Sequence, residues 1–258
     1  MRLKAKINLF LVIAFALNAA FWTGSSKIYA RWAGVPPVPT KEGALIMGLG
    51  DAQFSFRYGA MTLQNLGDTG GQVTPLKDYD YAKLGEWFYL LHGLDPASDH
   101  VPMIAAYYFG AIGVPRDAAV IAGYLAHVGQ NPFGSKWRWL LQAVLLARHK
   151  MGDRDQALEW AYQLSKMQPI GDTLPGWARQ MPAFVLADRG DLQAARQVME
   201  GLLLSSQSFH PSEVNFMEGY LVEQLGVSQE EVGKLMRMRG TRPEFIQGPK
   251  LPVPMPAP

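Results

Sequence analysis

The sequence contains no cysteine in its 258 residues, and this absence removes several kinds of chemistry. Without cysteine the chain forms no disulfide, holds no thiolate-bound metal and has no cysteine nucleophile. Charge is also scarce: charged residues make up 18%, the formal net charge is +2, and no long run of Lys or Arg is present. A nucleic-acid partner is therefore not predicted. With 48% apolar residues, the chain has enough apolar content for a globular body.

Recognisable metal and catalytic motifs are missing as well. The five histidines are scattered, without His-x-x-x-His or Glu-x-x-His spacing, so neither a metal nor a cofactor is predicted. No Gly-x-Ser-x-Gly elbow exists for a nucleophile. Asp78 and Asp80, in KDYDY, are better explained by helix capping than by cation binding. An enzyme is the alternative hypothesis, as an envelope hydrolase that acts on cell-wall or sugar polymers through unassigned carboxylates.

The N-terminus has a basic flank followed by a long uncharged run. Residues 1–6 include three basic side chains, and residues 7–22 carry no charge. A helix continued to Gly24 spans about 27 Å, close to the ~30 Å hydrocarbon core of a bilayer. We predict a transmembrane signal anchor over residues 1–25, with its basic end in the cytoplasm and the body in the periplasm of a Gram-negative cell. A cleaved signal peptide and a soluble periplasmic form are the second choice.

Two proline-rich segments border the body. The first, residues 26–43, contains AGVPPVPTKEG and is predicted to be an extended spacer that holds the body off the membrane. The second, residues 241–258, ends in GPKLPVPMPAP and is predicted to be an extended tail. The predicted folded domain is therefore residues 44–240.

Apolar residues within this domain recur at intervals of three and four, which is helical spacing. Five turn signals separate amphipathic segments: LGDTGG, IGVPRDA, MGDRDQA, RGDLQAA and LGVSQEE. A glycine in the left-handed conformation closes one helix, and Asp, Ser or Pro opens the next. Ala118, Ala157 and Ala195 follow these turns at separations of 39 and 38 residues. Such regularity indicates repeated helix-turn-helix units.

This pattern resembles the tetratricopeptide repeat, whose unit has 34 residues. The best-matching windows are residues 99–132, 138–171 and 176–209. In the middle window, the family's turn glycine, small helix-B residue, its neighbour and closing proline correspond to Gly152, Ala157, Leu158 and Pro169. The resemblance implies an all-α fold: a right-handed α-solenoid of about five helix-turn-helix repeats after the transmembrane helix. Pro182 departs from the pattern, because it falls inside a predicted first helix and should break it.

The resemblance also implies a binding surface, because the first helix of each unit lines a concave groove in that family. The groove residues carried over onto this sequence are Arg57, Gln64, Asn65, His100, Tyr107, Trp139, Gln142, His149, Lys150, Trp177, Gln180, Phe216, Tyr220 and Glu223. Trp139 and Trp177 have an alternative role, which is to fill gaps between units.

The predicted function is that of a membrane-tethered protein-binding scaffold. It would act at the inner membrane in assembly of an envelope complex, secretion or polysaccharide export. Its predicted partner is a protein, either a peptide segment or a subunit of a membrane complex.

Overall fold

The computed structural model describes residues 2–25, 34–69, 72–205 and 207–240. This part of the chain is helical, which confirms the all-α prediction. Its only strands are β1 (Asp68–Thr69) and β2 (Gln72–Val73), an antiparallel pair of two residues each. The predicted tail, residues 241–258, lies outside the described residues.

Thirteen α-helices occur in the described residues. They are α1 (Arg2–Ser25), α2 (Lys41–Met47), α3 (Ala52–Gln64), α4 (Tyr81–Leu94), α5 (His100–Tyr107), α6 (Pro115–Gly129), α7 (Trp137–Leu146), α8 (Arg154–Ser165), α9 (Gly176–Arg179), α10 (Met181–Asp188), α11 (Leu192–Leu203), α12 (Pro211–Glu223) and α13 (Gln229–Gly240). A π-helical segment, Ala147–Met151, extends α7, and 3₁₀ turns occupy Leu76–Asp78 and Phe109–Ala111.

Helix α1 is long and apolar enough to cross a membrane. Its segment Asn8–Ser25 has a mean hydropathy of 1.4 over 18 residues, and 0% of that segment is buried against other parts of the protein. This confirms the predicted apolar N-terminal helix. A signal sequence has the same length and composition, so α1 by itself does not distinguish a retained anchor from a cleaved leader.

Most of the predicted helix boundaries are found where the turn signals place them. Gly152 and Gly190 have φ of +69° and +82°, a conformation that glycine adopts without steric cost. Asp153 and Asp191 then cap the next helices, because their carboxylates accept hydrogen bonds from the N–H groups of Gln156 and Ala194 at 2.9 and 3.0 Å. Asp80 caps α4 in the same way, as predicted.

Two further helix boundaries, near Gly113 and near Pro182, depend on a local turn and on a proline. Gly113 was predicted to close a helix in the left-handed conformation, but its φ is not positive. The reason is that α5 has already ended at Tyr107, and a 3₁₀ turn precedes Gly113. Helix α9 ends at Arg179 and α10 begins at Met181, so the helix is interrupted beside Pro182, as predicted.

The helices of the body pack as five consecutive pairs: α3 with α4, α5 with α6, α7 with α8, α10 with α11, and α12 with α13. Each pair contacts the next through α4 with α5 and α6, α6 with α7, α8 with α10, and α11 with α12 and α13. Five pairs agree in number with the five units expected from the turn signals.

The folded body begins earlier than the predicted boundary at residue 44. Val35 is only 3% exposed and belongs to the apolar core. The carbonyl oxygen of Pro36 accepts a hydrogen bond from Trp87 Nε1 at 2.9 Å. Residues 41–43 already form part of α2. Residues 35–43 are therefore part of the body. A proline lacks the N–H donor but keeps its carbonyl acceptor, and Pro36 is held to the body through that acceptor.

Ala118, Ala157 and Ala195 are all fully buried, as expected of small residues between packed helices. Ala157→Leu should lower the free energy of unfolding by about 1–3 kcal/mol, because the larger side chain overpacks the interior. Gln156→Leu, at the partly exposed neighbouring position, should change it by no more than about 0.5 kcal/mol. Denaturant midpoints of the two variants test this expectation, and equal losses would show that α8 does not pack through Ala157.

Candidate binding surface on the first helices

The first helices of the five pairs are α3, α5, α7, α10 and α12, and neighbouring members contact one another. α3 contacts α5, and α5 contacts α7. Arg148, in the π-helical extension of α7, forms an ion pair with Asp188 at the end of α10. The Phe184 ring of α10 lies 6.0 Å from Phe216 and 5.2 Å from Tyr220 of α12, measured between ring centroids. We call the first-helix face the surface of these helices that comprises Gln64, His100, Tyr107, Phe184, Phe216 and Tyr220.

A cleft between α3 and α5 brings three predicted groove residues together. Its volume is about 390 Å³. It is lined by Gln64, His100, Met103, Ile104, Tyr107 and Tyr108. Tyr107 is 65% exposed, and its ring contacts Trp139 of α7 edge-on at 6.3 Å. The cleft thus combines an apolar floor with amide, imidazole and phenol groups that can form hydrogen bonds.

Trp139 lies at the centre of the predicted groove but is only 6% exposed. Its Nε1 donates to Asp99 Oδ1 at 2.7 Å, and Lys136 Nζ donates to the same oxygen at 2.7 Å. Lys136 Nζ also donates to the carbonyl oxygens of Ala97 and Ser98 at 2.8 and 3.0 Å. Trp139 therefore packs between units and holds the segment that precedes α5, which is the alternative role considered for it.

Electrostatics support this structural role for Asp99. Burial by itself raises the pKa of this carboxyl group, but the hydrogen bonds from Lys136 and Trp139, together with the positive charges of Lys136 and Arg138, outweigh burial, and the net pKa shift is downward. Asp99 is thus held in its ionised form as the acceptor between the ends of α5 and α7. Sequence spacing did not reveal this contact, because Asp99 and Trp139 are 40 residues apart.

The groove residues predicted around α9 differ in exposure. Gln180 is fully buried, and neither Nε2 nor Oε1 has a hydrogen-bond partner among the described residues. Gln180 lies at the junction between α9, which ends at Arg179, and α10, which begins at Met181. Trp177 is 42% exposed, and its ring contacts Trp137 edge-on at 5.9 Å. Trp177 is therefore available on the surface, whereas Gln180 is not.

The C-terminal end of the first-helix face carries an aromatic cluster. Phe216 is 50% exposed and stacks on Tyr220, with ring centroids 6.0 Å apart and an interplanar angle of 27°. Burial raises the pKa of Tyr220, and the negative charge of Asp188 raises it further, while the positive charge of Arg148 opposes the shift. Phe184 contacts Tyr220 and lies one helical turn before Asp188 on α10, so the cluster lies beside the ion pair that joins α7 to α10.

The other predicted groove residues are more dispersed. The exposed ones are Arg57, Asn65, His149, Lys150 and Glu223, and Gln142 is half-buried. Asn65 Nδ2 donates to the carbonyl oxygen of Met61 at 2.9 Å, so this side chain also caps the C-terminal end of α3. Glu223 lines a second groove, of about 550 Å³, between α12 and α13. The structure thus brings the predicted set together at two places, the α3–α5 cleft and the aromatic cluster.

Sequence reasoning missed Met103, Tyr108 and Phe184, which complete these two places. Met103 and Tyr107 are four residues apart on α5, so helical spacing would have placed Met103 on the same face as the predicted groove residue Tyr107. No such local signal exists for Phe184, since its partners Phe216 and Tyr220 lie more than thirty residues later. Within the described residues, no group of three His, Asp or Glu side chains could hold a metal ion.

Comparisons with protein-family models, curated proteins and solved structures found no match.

Proposed function

We propose that this protein is a membrane-tethered scaffold whose first-helix face binds a protein segment. The observation that carries the proposal is the side-by-side contact of successive first helices, from α3–α5 to the Phe184–Phe216–Tyr220 cluster. A row of helix pairs, each of which packs against the pairs beside it, is the construction of a solenoid. We propose that the five pairs form a right-handed solenoid similar to tetratricopeptide repeats, with the first helices on its concave side.

The chemistry of the first-helix face suits a peptide more than a small polar molecule. Tyr107 of α5 and Phe216 of α12, the second and the last of the first helices, expose 65% and 50% of their surface. Exposed aromatic rings of this kind are typical anchors in protein interfaces, while amides such as Gln64 supply hydrogen bonds to a peptide backbone. A segment that contacts both rings would lie along the face as a helix or as an extended strand.

The N-terminal helix supplies the second part of the proposal. If α1 is retained as an anchor, the basic residues at its N-terminal end favour a cytoplasmic N-terminus and a periplasmic body. Tethering confines the scaffold to the membrane surface, where it raises the effective concentration for membrane-bound partners. Assembly of an envelope complex, secretion and polysaccharide export are the processes that such a tethered scaffold would serve.

Site-specific photocrosslinking in native membranes tests the proposed surface. A benzophenone amino acid is placed at Tyr107, at Phe216 or, as a control, at Tyr162, an exposed aromatic residue of the second helix α8. We expect the same protein to be captured from Tyr107 and from Phe216 and not from Tyr162. Capture of that protein from Tyr162 alone would place the partner on the second helix α8 and reject the proposal.

The captured partner then allows a quantitative test. Phe216→Ala should weaken its affinity by about 2 kcal/mol, or roughly thirtyfold, because an exposed aromatic anchor is lost. The melting temperature should change little, since half of this side chain is already in water. Tyr162→Ala should leave the affinity unchanged. Equal affinity losses for the two variants, measured by titration of the full-length protein in nanodiscs, would contradict a specific role for the first-helix face.

A further inference from the structure

The end of the body nearest to α1 in the chain carries a second exposed apolar surface. At its tip, Ile46 is 75%, Met47 61% and Leu49 94% exposed. Leu49 has a φ of +54°, a left-handed conformation that leucine rarely adopts. The turn is held by hydrogen bonds from Leu49 N to Ile46 O at 3.0 Å and from Gly50 N to Leu45 O at 2.8 Å. The fold thus keeps a strained leucine directed into solvent.

Helix α3 continues this surface. Phe54, Tyr58 and Met61 follow at intervals of four and three residues, so they form one stripe along the helix. Their exposed fractions are 55%, 59% and 63%. Phe54 and Tyr58 also line, together with Met47, a small cavity of about 30 Å³ between α2 and α3. We call Ile46, Met47, Leu49, Phe54, Tyr58 and Met61 the anchor-side patch.

The chain itself limits how far this patch can lie from the membrane. Only nine residues, 26–34, separate the end of α1 at Ser25 from the buried Val35. Fully extended, this connection spans ~35 Å at most. Trp87, which fixes Pro36 to the body, lines the same cavity as Phe54 and Tyr58. The attachment point of the connection is therefore beside the anchor-side patch.

We propose that the anchor-side patch inserts into the interface of the bilayer that α1 spans. This inference rests on the membrane anchoring in the proposed function. The aliphatic tip around Leu49 would enter the boundary between head groups and acyl chains, and Phe54 and Tyr58 would lie at head-group level, where aromatic rings are favoured. The nearby exposed charges balance, with Lys41 and Arg57 against Glu42 and Asp51. Insertion is therefore driven by apolar burial and depends little on salt.

A cysteine-free chain allows a direct test, because each engineered cysteine carries the only label. Full-length Leu49→Cys, Leu192→Cys and Val12→Cys variants are labelled with a nitroxide in nanodiscs of phosphatidylethanolamine and phosphatidylglycerol. Leu192, 47% exposed at the start of α11, reports a water-exposed position, and Val12, within α1, reports the hydrocarbon. Collisions with a water-soluble nickel complex should be at least about threefold rarer at position 49 than at position 192.

The possible outcomes distinguish insertion of the anchor-side patch from membrane anchoring by α1. A lipid-like signal at position 12 with equal nickel accessibility at positions 49 and 192 overturns the inserted patch and leaves the anchor intact. A water-like signal at position 12 overturns both. Protection of position 49 in native membranes but not in lipid-only nanodiscs would mean that a protein covers the patch, and it would also reject the lipid proposal. Since Leu49 is 94% exposed, Leu49→Cys should not disturb folding.

Discussion

Trp139→Ala should lower the free energy of unfolding by about 3–5 kcal/mol, as expected when a large buried aromatic side chain is removed. The ring is 6% exposed, so its deletion leaves a cavity between α5 and α7. The Asp99 carboxylate also loses one of its two charge-assisted hydrogen bonds from side chains. For a body of this size, the melting temperature should fall by roughly 10 °C or more.

Trp139→Phe is the matched control, because it retains most of the apolar volume and removes only the indole donor. Its cost should be about 1–2 kcal/mol. Far-UV circular dichroism of the full-length protein is the suitable measurement, since the substitutions themselves alter tryptophan fluorescence. If Trp139→Ala instead unfolds at the same midpoint as the unchanged protein and loses the partner, the ring faces the bound segment and not the interior.

Gly129→Ala should have a comparably large effect, with a loss of about 3 kcal/mol or more from overpacking. A Cβ atom at Gly129 would lie 2.1 Å from the backbone N and 2.6 Å from the Cα of Leu140. Because both are backbone atoms, no side-chain rotation relieves the clash, and α6 must move away from α7. The separation disrupts the interface between the second and third helix pairs.

Gly123→Ala, in the same helix, is the control, and its expected effect on the free energy of unfolding has the opposite sign. No atom lies within 4 Å of a Cβ built at this position. Alanine should therefore stabilise the protein by about 0.4–1 kcal/mol, because it reduces the conformational freedom of the unfolded chain. Denaturant midpoints of the two variants should move in opposite directions. A loss of similar size at both positions would contradict the role of Gly129 in the close approach of α6 to α7, because alanine meets no atom at position 123 and favours the helix more than glycine does.

The local features of this fold could be predicted from sequence because their causes are local. Gly152 with Asp153, and Gly190 with Asp191, combine a left-handed glycine with a capping carboxylate within two residues. The small buried position of Ala157 likewise follows from its place in the second helix of a pair. These signals were sufficient for the boundaries at Gly152 and Gly190 and for the number of pairs, but not for α2 or for the turn at Gly113.

The groove was predicted less completely, because exposure depends on residues that are distant in sequence. A helical register places Trp139 on one side of α7, but the segment around Asp99, 40 residues earlier, covers that side. The start of the body shows the same limit, since Trp87 holds Pro36 across 51 residues. Periodicity identifies a face of a helix, and only the tertiary contacts decide whether that face reaches solvent.

The two apolar clusters of the body meet at α10, and this has a consequence for its cooperativity. Val185 belongs to the cluster that begins at Val35, whereas Ala183 and Leu186 belong to the one that ends at Leu235. Chains built from neighbour contacts open in units, at free energies below that of global unfolding. We therefore expect helices α11 to α13 to open as one unit while the earlier pairs stay closed. A segment bound at both the α3–α5 cleft and the Phe216 cluster would span the junction and couple ligand occupancy to amide protection in the last three helices.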